Sequence, residues 1–196
     1  TDPKQIRKWV EENSDYEAVT FVKKIHPDGT VDLMTGYEYD PEEYEANYPC
    51  AFKQDATLEN GHLPIKIGEV KAGLHLMCLG LTSLEGLPAS IGWLRLDTPQ
   101  LSSLRGCPTQ IEDFMIYEHN LKSLEGLPTD IGEFTLQYKP DLGLLRLLMV
   151  NCPFIHIYGP DEIHNIINRY LPQGKAGLSA CATELIKAGY KGNARL

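Results

Sequence analysis

LTSLEGLPASIGWLRLDTPQ (residues 81–100) is followed without a gap by LSSLRGCPTQIEDFMIYEHN (101–120) and LKSLEGLPTDIGEFTLQYKP (121–140). The first and third units agree at ten of 20 positions, and the first and second at six. Counted within a unit, positions 1, 4, 7, 11, 14 and 16 are apolar throughout. Positions 14 and 16 (Leu94 and Leu96, Phe114 and Ile116, Phe134 and Leu136) alternate as a very short strand with one face inward. Gly86, Gly106 and Gly126 at position 6, with Pro88, Pro108 and Pro128 at position 8, mark a tight return. A unit this small cannot bury its own apolar side. Stacking unit on unit makes a continuous core and a parallel ladder of strands.

The stack extends both ways. LPIKIGEVKAGLHLMCLG (63–80) repeats the L-P-x-x-I-G start and inserts a few residues before Leu74-x-Leu76. DLGLLRLLMVNCPFIHIYGP (141–160) keeps a leucine-rich arch and an Ile155-x-Ile157 strand, which predicts about five strand layers in all. In its leucines and its L-P step the pattern resembles the leucine-rich repeat. It departs where such repeats usually carry a buried Asn. Pro99, His119 and Lys139 stand there, next to Gln100, Asn120 and Pro140, so no Asn ladder runs through the units. Loop backbone groups on that edge are expected to be satisfied by water or by one another.

A solenoid's ends need covering. At the N-terminus, Asp2-Pro3 signals a helix start and Ile6, Trp9 and Val10 share one face of that helix. His26-Pro27-Asp28-Gly29 sits between two strand-like runs as a hairpin turn. After Gly159-Pro160-Asp161, the residues Ile163, Ile166, Ile167 and Tyr170 keep helical spacing; Gly174 to Gly177 breaks the helix, and LSACATELIKAGY begins a second that ends at Gly189. Lys187, Lys191 and Arg195 there answer a helix dipole. The expected architecture is an α/β repeat: a leucine-rich-repeat solenoid of period 20 over residues 61–158, a helix-and-hairpin cap over 1–60, and a two-helix cap over 159–196.

With its LTSLEG-x-P units, its PDG-x-VD hairpin (PDGTVD) and its tail INRYLPQGKAGLSACATELIKAGYKGNARL, the chain resembles the small leucine-rich-repeat proteins of tailed bacteriophages. That resemblance implies the solenoid fold. It also implies a phage protein working in the host cytoplasm, with a host protein, such as a defence or metabolic enzyme, as a target to be inhibited.

Composition narrows the function classes. The net charge of −9 is concentrated in residues 1–60, where 14 Asp and Glu stand against six Lys and Arg. No basic footprint for nucleic acid is present. The opening residues are polar, and the longest apolar run, Leu144 to Val150, is broken by Arg146, so neither a signal peptide nor a membrane span is expected. Five scattered cysteines without a C-x-x-C pair predict reduced thiols and no metal or other cofactor. Nucleophile-elbow, phosphate-loop and H-E-x-x-H motifs are missing, so the expectation is a non-catalytic protein. His75 and His156 can share a strand face with Cys152 nearby in sequence, but packing is the stronger reading for all of them.

With positions 14 and 16 inward, the solvent face of the ladder presents Trp93, Arg95 and Asp97, then Asp113, Met115 and Tyr117, then Glu133, Thr135 and Gln137, and in a less fixed register Phe154, His156 and Tyr158. Such residue types are enriched at interface hot spots, so this concave strand face is the expected protein-binding surface. Trp93 admits two readings, an interface anchor or a residue packed on the inserted segment 69–73. The acidic tyrosine segment 37–45 is either a docking loop for a basic surface, a nucleic-acid mimic acting as an inhibitor, or a solvated cover of the first repeat. A minor virion or assembly component is the alternative role, and self-association stays open.

Overall fold

The computed structural model describes residues 2–17, 19–36, 45–46 and 48–196. Its elements run α1 (Pro3–Asn13), β1 (Thr20–Ile25), β2 (Thr30–Gly36), β3 (Glu45–Ala46), β4 (Cys50–Phe52), β5 (Lys66–Val70), β6 (Leu74–Leu76), β7 (Ser90–Leu96), β8 (Gln110–Ile116), β9 (Asp130–Gln137), β10 (Ile155–Tyr158), α2 (Asp161–Tyr170) and α3 (Leu178–Lys187). A six-stranded sheet in the order β4-β6-β7-β8-β9-β10 has every neighbouring pair parallel. The chain is therefore a parallel-strand solenoid. Its repeat region supplies the five strands β6 to β10, and β4 adds one from upstream of residue 61.

The period sets the register. Leu74, Leu94, Phe114, Phe134 and Ile155 are successive partners across the ladder, as are Leu76, Leu96, Ile116, Leu136 and Ile157. All ten are fully or almost fully buried, and the Phe114 and Phe134 rings stack with centroids 5.3 Å apart. Strands β7 to β9 are longer than expected, seven or eight residues, because the in-register pairing begins at position 10. Position 11 (Ile91, Ile111, Ile131) points inward, and two consecutive outward residues then separate it from position 14. The leucines at positions 1 and 4 fill the opposite side of the core. Gly106 holds φ +81°, and a Cβ there would lie 2.5 Å from the Glu85 nitrogen, so position 6 is closed to side chains by the unit stacked on it.

Two side chains correct the expectation that the loop edge would be left to water and backbone. His119, 3% exposed, accepts the Leu121 N–H at Nδ1 (3.1 Å) and donates from Nε2 to the Gln137 carbonyl (3.0 Å). One unit further on, fully buried Asn193 of the C-terminal tail donates to the Lys139 and Leu142 carbonyls (2.9 and 2.8 Å), while its own carbonyl accepts the Leu144 N–H. Both do the work of the missing ladder Asn.

The inserted residues before Leu74 split one unit between two sheets. Its first half, β5, runs parallel to β2 of the β1–β2 hairpin, and its second half, β6, enters the ladder between β4 and β7. Each end strand of the ladder is closed by the chain itself. On β4, the Asp15 N–H donates to the Ala51 carbonyl (3.0 Å) and the Ala51 N–H to Thr20 Oγ1 (3.1 Å). On β10, Asn168 of α2 bonds both backbone groups of Ile155, and the Ile157 N–H donates to His164 Nδ1 (3.2 Å). Ile163, Ile166 and Ile167 of α2 and Cys181 and Leu185 of α3 extend the core past β10. Among the described residues no helix is long and apolar enough to cross a membrane.

Candidate functional site

The ladder register sorts the outward side chains into rows. His75, Arg95, Met115, Thr135 and His156 are successive partners in one row. Trp93, Asp113 and Glu133 form a second. Asp97, Tyr117, Gln137 and Tyr158 make the third. Gln137 pairs with Tyr158, and the Asp97 and Tyr117 amides donate to Leu76 and Leu96 on the preceding strands. The eleven residues singled out on the strands, Trp93 to Tyr158, all face outward, none of them buried.

Several are tied to one another. Asp97 Oδ2 accepts from Arg95 Nε (2.7 Å) and meets His75 Nε2 (2.7 Å). The Arg95 guanidinium carbon lies 4.8 Å from the centroid of the Tyr117 ring, a cation–π geometry. Tyr117 meets Tyr158 edge-on with centroids 6.3 Å apart. His156 lies 6.3 Å from Tyr158 and 5.3 Å from His164, which in turn meets Phe154 at 5.4 Å. Tyr158 and Phe154 remain 60% and 53% exposed. An aromatic and guanidinium network thus runs obliquely across the face from His75 to α2. His164 was not legible as part of it, because nothing in a helical sequence announces which strand its side chains will meet.

Trp93 lies beside the inserted segment 69–73. Its indole is half-buried and meets His75 edge-on at 6.4 Å. The inserted segment comes so close that a Cβ on Gly73 would sit 2.7 Å from the Trp93 Cβ. The segment therefore packs against the Trp93 backbone and Cβ, and the residue stays partly exposed. Beside it, Asp113 and Glu133 are register partners of like charge. Partial burial and then the Glu133 carboxylate push the Asp113 carboxyl above its usual range.

Cys152 and His156 form no nucleophile–base pair. Cys152 is buried with its Sγ donating to the Phe154 carbonyl (3.2 Å), and burial pushes its thiol up. Cys78, Cys107 and Cys181 form no disulfide, and burial raises their thiols to about 11, 12 and 11. No cluster of three or more His, Cys, Asp or Glu that could hold a metal occurs among the described residues. Apart from Glu45, the acidic tyrosine segment 37–45 lies outside the described residues. Comparison with known proteins finds no matching family, no matching curated protein and no matching solved structure.

Proposed function

We propose that the chain is a leucine-rich-repeat protein of the kind tailed phages encode, capped by α1 with the β1–β2 hairpin and by α2 with α3. In this reading it is a non-catalytic module that binds a host protein, in the host cytoplasm, through the outward strand face. Binding would inhibit or redirect that partner by occupying its surface. The observation that carries the reading is the state of Arg95, bonded to Asp97 and set over the Tyr117 ring in the free chain. A face whose large polar and aromatic groups are already ordered loses little entropy when a partner arrives, which is how hot spots reach high affinity. The leucine-rich core and the glycine turns explain the fold without those outward residues. Their variation between otherwise matching units is what a binding surface needs.

The test is an affinity capture from lysate of the bacterial host, run in parallel with the chain and an Arg95→Ala/Tyr117→Ala variant of unchanged circular dichroism. A host protein retained by the first and lost by the second supports the reading. Equal retention sets it aside.

A further inference from the structure

The three outward rows contain a single arginine and no lysine among the residues described. Arg95 is held twice, by Asp97 Oδ2 at its Nε and by the Tyr117 ring, whose centroid lies 4.8 Å from the guanidinium carbon. Asp97 is itself steadied by His75 Nε2 at 2.7 Å, and Tyr117 by the edge-on ring of Tyr158. Only Nε is engaged: the Nη1 and Nη2 groups make no hydrogen bond or ion pair with any described residue, although the side chain is only 39% exposed. A guanidinium held at Nε and over a ring, with neither Nη group bonded, presents a fork that matches a carboxylate.

Resting on the proposed binding face, we infer that Arg95 is a preorganised receptor for one carboxylate of the partner protein, an Asp or Glu side chain taken end-on by Nη1 and Nη2. Met115, its register neighbour on β8, offers apolar surface to the stem of that side chain, and exposed Tyr158 continues the same face beyond Tyr117. The same face argues against a polyanion. Asp97, Asp113 and Glu133 outnumber the one guanidinium, and the whole chain carries −9. A nucleic-acid backbone needs a run of cations, and a second acid next to the first would meet the Asp113–Glu133 pair and be repelled. The complementary segment therefore carries one acidic residue in neutral or basic surroundings.

The probe is a random peptide library displayed and selected on the full chain, keeping peptides whose binding is lost on Tyr158→Ser. The expected survivors share one Asp or Glu. Changing that residue to Asn or Gln weakens binding about tenfold or more, and Arg95→Gln gives the same loss with no further loss when the two changes are combined. Arg95→Lys does not restore binding, because a point charge lacks the fork. Survivors without a shared acid, or indifferent to Arg95→Gln, overturn the carboxylate receptor and leave the binding face standing. A selection in which every binder survives both Tyr158→Ser and Arg95→Gln overturns the binding face and the receptor together.

Discussion

Asn168 closes the last strand of the ladder by bonding both backbone groups of a single residue, Ile155. Its Nδ2 donates to the Ile155 carbonyl at 2.7 Å and its Oδ1 accepts the Ile155 N–H at 3.2 Å. A side-chain amide here stands in for one residue of a further strand. Asn168→Ala leaves two backbone groups without partners on the edge of a parallel sheet. The expected cost is about 2–3 kcal/mol, read as a lower urea midpoint. An opened edge also templates pairing with another copy, so sedimentation should show concentration-dependent association of Asn168→Ala beyond that of the parent chain.

His119 makes stability depend on pH. It is held neutral, with Nδ1 accepting an N–H, and burial lowers its pKa from the model-peptide value of 6.5. Its folded pKa therefore lies below the unfolded one. The contribution is fully present above the unfolded value and is lost as pH falls from there through the folded value. Melting temperatures measured from about pH 8 down to about pH 5 should fall over that window. His119→Gln should flatten the fall. A profile identical to that of the parent would show that His119 does not carry the dependence.

Gly106 and Gly29 both hold positive φ but differ in what surrounds them. A Cβ on Gly106 meets the backbone of Glu85 and Leu84 at 2.5–2.6 Å, while a Cβ on Gly29, in the hairpin turn, meets nothing within 4 Å. Gly29→Ala should cost only the backbone strain, about 1 kcal/mol. Gly106→Ala adds a clash in the stacked arches and should cost about 3 kcal/mol or more. Denaturant midpoints of the two variants decide it, and equal costs would count against tight stacking at position 6.

Much of the ladder can be read from the chain because its cause is local and periodic. Leu94, Phe114 and Phe134 recur every 20 residues, and a core of stacked units follows from that spacing. The rows of the outward face follow by alternation. What stayed illegible depends on contacts far apart in sequence. The entry of β4 into the ladder needs Thr20 and Asp15 to meet Ala51. The closure of the 139–144 arch needs Asn193, about 50 residues downstream. The missing Asn ladder was visible, but not its replacement by an imidazole in one unit and a tail amide in the next. The tie between Arg95, Asp97 and His75 was also out of reach, since alternation places side chains on a face without saying which of them touch.

In the proposed function the outward strand face binds a protein through residues that contribute little to the fold. The most direct measurement is the dissociation constant of the captured partner for the parent chain and for Arg95→Ala/Tyr117→Ala, with the melting temperature of each recorded alongside. Affinity should weaken about a hundredfold at a melting temperature changed by only a few degrees, about what the loss of one half-buried cation–π pair and one partly exposed ion pair allows. An unchanged dissociation constant in a folded double variant would contradict that function.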